Sequence, residues 1–352
     1  MKAIHILVLC LLTLIMSRPQ AAPTYSVTDL GPGYAFGINE LGQVVGTSGV
    51  RAFMWQSGNM VDLGVLPGGH DSNAFSINNN GQVVGWSSSS DGDRAYLWEA
   101  GKMTSLGILP DASGRSEATA INDAGQVTGW SDTATGASHA FLFQSGNMTD
   151  LGTFPNGFTN QSVGADINEF GVVAGYAASN AYHSVYWQGG VMTQITIPHP
   201  FYTGDRATAI NDGGAITGFN ESGTPSHGYV WENGTLTVIA PLSNQSVLTY
   251  PTDINNTMQV VGYDLNYTTY HAFLWDAQNG TQDLNSLINA KDTLIQGAMS
   301  INDIGQIVGF GINSNGYRAF LLSPIPIPEP ETFTLILLAL GILGFTEMRR
   351  RW

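Results

Sequence analysis

The stretch AFSINNNGQVVGW (residues 74–86) contains the pattern that decides the fold. It reads Ala-x-x-Ile-Asn-x-x-Gly-x-Val-x-Gly and is followed by RAYLW at 94–98 and by a Gly-x-Met segment at 101–103. Within this unit the sequence predicts four short strands, over 74–78, 82–86, 94–98 and 102–106. The Asn-x-x-Gly step between the first two strands is typical of a tight turn, with Asn at its first position and a left-handed Gly at its fourth.

The same unit occurs seven times along the chain. Its anchoring asparagines, which we interpret as turn formers, are Asn39, Asn78, Asn122, Asn168, Asn211, Asn255 and Asn302. Four strands in each repeat of about 44 residues match one blade of a β-propeller. An open solenoid built from the same repeats is the alternative architecture.

The two ends of the repeat region favour a closed ring. The seventh unit finishes its third strand at Arg318–Leu322, and Pro324 follows before a fourth strand can form. Residues Tyr25–Gly31 (YSVTDLG) supply the missing strand, because their Asp-Leu-Gly ending repeats the fourth-strand endings at 62–64 and 150–152. Pairing this strand with the last blade would remove both open sheet edges. We therefore predict an all-β, seven-bladed β-propeller over residues 23–323, closed by the N-terminal strand.

Composition excludes several classes of function. The chain of 352 residues has a formal net charge of -15, which argues against a nucleic-acid partner bound through its phosphates. Cys10 is the only cysteine and lies in the N-terminal apolar segment, so the propeller has no disulfide and no thiol for catalysis. We predict neither a metal nor a cofactor.

The N-terminal segment, residues 1–22, predicts a cleavable signal peptide. Lys2 precedes an apolar run over 4–16, and Ala21 and Ala22 supply small residues for cleavage. We expect export through the Sec machinery and cleavage by signal peptidase near Ala22.

The C-terminal segment predicts a proline-rich linker over 324–331 and a short membrane helix over 332–352. The linker contains Pro328-Glu329-Pro330, and the apolar run at 333–345 is followed by Arg349, Arg350 and Arg351. At about 1.5 Å per residue this run is shorter than a hydrocarbon core of about 30 Å, so we expect transient anchoring with the arginines on the cytoplasmic side. A weak permanent anchor is the alternative.

The order of these C-terminal parts closely resembles the PEP-CTERM sorting signal of Gram-negative bacteria. The resemblance implies that exosortase, a membrane peptidase, recognises the tail and cleaves it near the Pro-Glu-Pro motif. It also implies transient contact with the inner membrane, followed by release or by transfer to the cell envelope.

The repeat itself resembles the HAF family of extracellular bacterial repeats. The motif is present as His139-Ala140-Phe141 and His271-Ala272-Phe273, and Arg51 and Arg318 replace the histidine in other units. This resemblance implies secretion and a repeat architecture but no reaction. Because arginine replaces histidine at the same position, we predict a structural role for these histidines rather than metal binding.

The long, variable loops predict the position of a ligand site. In such a propeller the loops between strands two and three, and between strand four and the next blade, open on one face, which we call the long-loop face. The aromatic residues there are candidates for stacking on sugar rings, and the charged residues for polar contacts. The candidates are His70, Asp71, Trp86, Trp130, His199, Tyr202, Asp205 and Arg206.

No linear catalytic motif occurs in the sequence, so we predict a non-catalytic protein of the envelope or the biofilm matrix. It would bind exopolysaccharide or another surface component at the long-loop face. One alternative is a secreted polysaccharide hydrolase or lyase that uses loop acids, with two carboxylates about 5 to 9 Å apart. Those acids would be Asp71, Asp93, Asp111 and Asp205. A purely structural repeat protein is the other alternative.

Overall fold

The computed structural model describes residues 24–155, 160–197, 204–220 and 226–326. Tyr25–Ser323 form one compact unit. The predicted signal peptide, the Pro-Glu-Pro motif and the C-terminal sorting helix lie outside the described residues. In the part of the chain that is described, no helix has the length and hydropathy needed to span a bilayer.

The compact unit consists of seven four-stranded antiparallel blades. Blade 1 contains β2 (Tyr34–Ile38), β3 (Val44–Ser48), β4 (Arg51–Gln56) and β5 (Asn59–Gly64). Blade 2 contains β6 (Ser72–Ile77), β7 (Val83–Ser87), β8 (Arg94–Glu99) and β9 (Lys102–Gly107). Blade 3 contains β10 (Ser116–Ile121), β11 (Val127–Asp132), β12 (Ser138–Gln144) and β13 (Asn147–Gly152). Blade 4 contains β14 (Ser162–Ile167), β15 (Val173–Ala178), β16 (Tyr182–Gln188) and β17 (Val191–Gln194).

The remaining blades follow the same order. Blade 5 contains β18 (Asp205–Ile210), β19 (Ile216–Asn220), β20 (Gly228–Glu232) and β21 (Thr235–Ile239). Blade 6 contains β22 (Ser246–Ile254), β23 (Val260–Asn266), β24 (Thr269–Asp276) and β25 (Gly280–Asp283), after which a 3-10 turn spans Leu284–Ser286. Blade 7 contains β26 (Thr293–Ile301), β27 (Ile307–Asn313), β28 (Gly316–Pro324) and β1 (Tyr25–Gly31).

Blade 7 closes the ring as the sequence predicts. Its strand order is β1-β28-β27-β26, so the N-terminal strand is the fourth strand of the last blade. Arg318 Nε donates to both carboxylate oxygens of Asp29, at 2.9 and 3.0 Å, and Ser26 Oγ donates to the carbonyl of Ser323 at 3.2 Å. The seven-bladed propeller is confirmed, and the open solenoid is wrong.

The Asn-x-x-Gly segments form the tight turns between the first and second strands. In blade 3 the amide of Gly125 donates to the carbonyl of Asn122 at 3.0 Å, and Gly125 has a φ of +74°. Blade 6 has Met258 at the glycine position, and Met258 adopts a φ of +63°. Since a side chain disfavours this region, the sixth turn is strained.

A second glycine, at the end of Val-x-Gly, permits close packing of the first two strands. A Cβ atom on Gly129 would lie 2.0 Å from the carbonyl oxygen of Glu117 on the neighbouring strand. Opposite this glycine the first strand bulges, with its register shifting between Ala118 and Ala120. The same shift occurs in the first strand of all seven blades.

The hydrophobic core lies between adjacent blades. One cluster joins Val84 and Ala95 of blade 2 to Ala118, Ile121 and Phe141 of blade 3. Complete burial of a large apolar side chain, such as that of Ile or Phe, contributes about 1.5–3 kcal/mol to the stability of the fold. The repeated Ala and Ile of the first strand therefore pack each blade against the previous one. The two residues between them face the propeller axis.

Candidate functional site

A cavity of about 450 Å³ lies on the propeller axis. First-strand residues from all seven blades line it, together with two second-strand residues, Trp130 and Tyr176. The first strands are therefore the innermost ones, and the cavity is the central channel of the ring. It is within the usual size range of small-molecule sites.

The two variable residues of each Ala-x-x-Ile-Asn segment face this channel. The bulge falls on the first of them, and a bulge re-aims side chains that would otherwise alternate across a sheet. The paired positions are Phe36/Gly37, Phe75/Ser76, Thr119/Ala120, Ala165/Asp166, Thr208/Ala209, Thr252/Asp253 and Met299/Ser300. The channel wall is thus built from positions at which the repeats differ.

Two of the three carboxyl groups that border the cavity, those of Asp166 and Asp253, also accept hydrogen bonds from a neighbouring blade. Asp166 accepts hydrogen bonds from the amide of Ile167 at 2.8 Å and from the amide of Ile210 in the next blade at 2.9 Å. Asp253 accepts hydrogen bonds from the amide of Ile254 in its own blade and, at 2.9 Å, from the amide of Ile301 in the next blade. Both carboxyls therefore connect neighbouring blades while they face the channel.

Burial raises the pKa of both carboxyl groups. Enclosure by protein, followed by the nearby charge of Asp253, raises the pKa of Asp166 to about 7. Burial also raises the pKa of Asp253, against the opposing effect of hydrogen bonds from Ser300 and from two main-chain amides. The Asp166 carboxyl therefore exchanges a proton near neutral pH.

The long-loop end of the cavity combines a carboxyl, a guanidinium and aromatic rings. The guanidinium carbon of Arg206 lies 4.7 Å from the ring centroid of Tyr176 and 4.1 Å from that of Tyr182, which is cation–π geometry. Glu117 lies opposite Trp130 in the sheet and is hydrogen-bonded to its side chain. Burial raises the pKa of Glu117 above its usual range.

Aromatic residues continue around this end of the channel. Tyr250 lies 4.2 Å from Phe219 and 4.9 Å from Tyr263 between ring centroids, and Tyr263 lies 5.6 Å from Tyr270. The residue after Val-x-Gly is aromatic in six of the seven blades, all described in the structure: Trp86, Trp130, Tyr176, Phe219, Tyr263 and Phe310. These residues form a collar, the aromatic collar, at the long-loop end of the second strands.

The structure brings two of the predicted ligand residues, Trp130 and Arg206, to the cavity. Trp86 occupies the equivalent position in blade 2, beside Asn73, but does not line the cavity. His199 and Tyr202 lie outside the described residues.

The other three predicted residues lie elsewhere. His70 and Asp71 are exposed in a loop, where both of their amides donate to Ser88 Oγ. Asp205 accepts from the amide of Ser184 in the preceding blade at 2.6 Å, so its carboxylate connects blades. Ser116 forms the corresponding contact with Ala95 at 2.9 Å.

Sequence reasoning missed Glu117, Asp166, Asp253, Tyr176 and Tyr250, which all line the cavity. Aligning the seven first strands could have found the three acids, because Glu117 is the only acid at its position and Asp166 and Asp253 replace the Gly, Ser or Ala of the other repeats. The first strand starts at the long-loop face, so position along it gives depth in the channel.

Two rings of hydrogen bonds surround the opposite end of the channel. In the first ring, Nδ2 of each repeat asparagine donates to the main-chain carbonyl of the next, at 3.0 to 3.2 Å, and Asn302 donates back to Asn39. In the second ring, the side chain of the residue after each asparagine accepts a hydrogen bond from a main-chain amide of the preceding blade. Its members are Glu40, Asn79, Asp123, Glu169, Asp212, Asn256 and Asp303. These side chains are thereby engaged in joining blades.

Two of the repeat histidines, His139 and His271, have carboxylate partners within their own blades. His139 Nδ1 lies 2.9 Å from a carboxylate oxygen of Asp150, and His271 Nδ1 lies 3.2 Å from one of Asp283. Within residues 24–155, 160–197, 204–220 and 226–326, no group of three or more His, Cys, Asp or Glu side chains converges as metal ligands would.

Residues 326–351 match the PEP-CTERM protein-sorting motif. This match confirms the resemblance drawn from Pro328-Glu329-Pro330, the apolar run and the arginine cluster. The motif implies an exported, envelope-associated bacterial protein that is processed by exosortase. No curated protein sequence matches this chain. The resemblance to the HAF repeats stays a prediction from the repeat sequence.

Solved structures are similar to this chain in fold at low sequence identity. A prolyl endopeptidase is similar over 87% of this chain and 51% of its own, with a TM-score of 0.52 and 11% identity. YCF48 bound to a D1 peptide is similar over 88% and 99%, with a TM-score of 0.52 and 13% identity. A puromycin-hydrolyzing peptidase of Mycobacterium tuberculosis is similar over 82% and 50%, with a TM-score of 0.52 and 10% identity. The chain spans about half the length of the two peptidases, and these identities show the fold alone.

Proposed function

We propose that this protein binds a saccharide of the exopolysaccharide matrix or the cell surface in its central channel, without cleaving it. One observation carries the proposal: a channel cavity of about 450 Å³ has carboxyl and hydroxyl groups on its wall and aromatic rings at its long-loop end. Aromatic faces pack against the C–H faces of sugar rings, and carboxyl and hydroxyl groups bond their hydroxyls.

The sorting signal supports a location at which such saccharides are available. A chain with a PEP-CTERM motif at 326–351 reaches the envelope, where surface polysaccharides are available. The proposed route starts with the Sec machinery and signal peptidase at 1–22. It continues with transient anchoring in the inner membrane of a Gram-negative bacterium through 332–352, and ends with exosortase cleavage near Pro328–Pro330.

A second candidate function, polysaccharide hydrolysis or lysis, is favoured by one observation. Asp166, whose pKa burial raises to about 7, and Asp253 face the same cavity, and a raised acid beside a second carboxyl is the arrangement of glycosidases. Against it, both carboxyls already accept main-chain amides of two blades. The loop acids expected from the sequence, Asp71, Asp93, Asp111 and Asp205, do not line the cavity.

The two functions separate in one experiment on residues 23–323. The propeller is titrated with exopolysaccharide from a bacterium that has such sorting tails, and the polymer length is measured before and after. We expect saturable binding with unchanged polymer length. Release of oligosaccharides would favour the hydrolase or lyase, and absence of both binding and release would favour the structural protein.

Matched tryptophan variants locate the binding site. We expect Trp130→Ala to weaken binding at least tenfold, because stacking of the indole ring on the sugar and a wall of the cavity are lost together. Trp86→Ala removes the same residue type at the same strand position of blade 2, outside the cavity lining, and should leave affinity within twofold. Equal effects of the two substitutions would place the ligand elsewhere.

A further inference from the structure

Charge distinguishes this channel from a site for neutral sugars. Among the described residues that line it, Glu117, Asp166 and Asp253 carry carboxyls, and Arg206 carries the positive charge. The three carboxyls come from blades 3, 4 and 6, so acidic groups lie on several sides of one channel cavity that is open to solvent at its long-loop end and walled by protein around the carboxyls. In such surroundings a charge interacts more strongly than it would in water.

The two deeper carboxyls line the cavity and have more lone-pair sites than their hydrogen bonds to the protein occupy. A carboxylate offers about four lone-pair sites, and the amides of Ile167 and Ile210 use two of those on Asp166. Asp253 accepts from Ile254, Ile301 and Ser300. An ammonium group, with three donors and no acceptor, is the ligand group that complements such a wall best.

The aromatic residues point to the same chemistry. Cations are attracted to the faces of aromatic rings, and the guanidinium of Arg206 already lies over Tyr176 and Tyr182 at 4.7 and 4.1 Å. Phe36, Phe75 and Tyr250 add further rings to the cavity lining. The long-loop end of this channel thus holds one cation against aromatic faces within the chain itself.

We propose that the saccharide recognised by the channel carries a protonated amine, as in the amino sugars of a de-N-acetylated polysaccharide. The ammonium group binds beside Asp166 and Asp253, and the sugar ring packs against the aromatic residues above them. This inference rests on the proposed saccharide-binding function and names the class of sugar. The cavity of about 450 Å³ admits a sugar unit at the end of a chain or a short oligosaccharide.

Proton release accompanies the binding. A cation beside Asp166 favours its ionised form and lowers a pKa that the empty protein holds at about 7. The charged groups around Asp166 are Asp253 and Asp212, with Glu117 and Arg206 also lining the cavity. Affinity for an amine should therefore rise with pH up to about 7 and fall again once the amine loses its proton, near pH 8 for amines of the α-amino type.

The test compares two ligands that differ only at nitrogen. The propeller is titrated calorimetrically with glucosamine tetrasaccharide and with its fully N-acetylated counterpart, at pH 7 in two buffers of different ionisation enthalpy. We expect the free amine to bind at least tenfold more tightly and its observed enthalpy to change with the buffer. Equal binding, or tighter binding of the acetylated ligand, overturns the inference but leaves saccharide binding in place. Absence of binding to any saccharide, the exopolysaccharide included, overturns the proposed function as well.

Variants assign the preference to the channel. Asp166→Asn and Asp253→Asn should each reduce the preference for the amine at least fivefold. Asp71→Asn removes a carboxyl from an exposed loop that does not line the cavity and should leave the preference unchanged. If Asp71→Asn reduced it as much as either channel variant, general surface charge would explain the preference. The comparison of the two ligands on the unaltered protein remains decisive if a channel variant does not fold.

Discussion

Replacement of Asn122 by Asp separates two roles of the repeat asparagine. Asn122 is only 2% exposed, and its Oδ1 accepts the amide of Gln126 at 2.9 Å, which forms the turn. Its Nδ2 donates to the carbonyl of Asn168 in the next blade at 3.0 Å and to Gln126 Oε1 at 2.7 Å. Aspartate is as good a turn former as asparagine and keeps the acceptor, but it has no donor for the next blade.

The magnitude follows from the groups left without a donor. A buried carbonyl that loses its partner costs about 1–3 kcal/mol, and a charged group beside it costs more. We therefore expect Asn122→Asp to lower the free energy of unfolding by about 2–5 kcal/mol at pH 7. The loss should shrink in acid: burial raises the pKa of the new carboxyl in the folded state, the folded state then binds more protons than the unfolded one, and stability rises as pH falls.

The assay is urea unfolding of residues 23–323 followed by tryptophan fluorescence at pH 7 and pH 5. Asn147→Asp is the control in the same blade, because Asn147 is exposed and its side chain makes only a 3.4 Å contact with the carbonyl of Ser145. The control should change the free energy of unfolding by at most about 0.5 kcal/mol. If Asn122→Asp at pH 7 changed stability no more than the control, the asparagine would be only a turn former.

Three further substitutions and one deletion test the fold and the channel. Asp166→Asn should flatten the pH dependence of stability. Folding raises the pKa of the Asp166 carboxyl from 3.8 to about 7, so the folded state binds extra protons and the carboxyl's contribution to stability falls as pH rises through that window. Equal slopes of Tm against pH for the two proteins would contradict this. Gly129→Ala should cost about 3 kcal/mol in urea unfolding, since its Cβ would lie 2.0 Å from the carbonyl of Glu117. Gly213→Ala, at a turn position that other repeats fill with larger residues, should cost under about 1 kcal/mol, and similar costs would refute the close-contact argument. Deleting residues 25–31 should expose the edge of β28 and produce oligomers in gel filtration; a monomer with unchanged Tm would refute closure by this strand.

The fold could be predicted because the repeats multiply a weak signal. A single Asn-x-x-Gly turn predicts a hairpin, but seven of them at similar spacing predict seven hairpins of one architecture. The Asp-Leu-Gly of Tyr25–Gly31 matched other fourth strands and so identified the closing strand, which the structure contains as β1.

The asparagine ring could not be predicted in the same way. Each donor and its acceptor belong to different repeats, and Asn302 bonds to Asn39 across 263 positions of sequence. Turn formation alone accounts for asparagine at this place, so nothing in the pattern calls for a second role. Only the angle between adjacent blades brings each Nδ2 to the next carbonyl.

The candidate site was predicted in part, for a related reason. Trp130 and Arg206 stood out as large side chains next to long loops, and both line the cavity. Asp166 and Asp253 were missed because they replace small residues at a variable position of the repeat, where they appear as deviations from the consensus. Asp205 was interpreted as a ligand residue although the equivalent position in blade 3, Ser116, joins blades. In a repeat protein the common residues build the scaffold, and the exceptions build the site.

The closing blade also determines how mechanical load enters the protein. β28, which ends at Pro324 before the sorting segment, is an interior strand with β1 on one side and β27 on the other. A force applied along β28 from its C-terminal end loads the hydrogen bonds to β1 and to β27 in shear. In this geometry the bonds of both ladders share the force, whereas in peeling they would break one after another. Arg318 on β28 and Asp29 on β1 add a two-bond contact across one of these ladders. Force that enters through the C-terminal end of β28 is therefore resisted by both ladders of the closing blade.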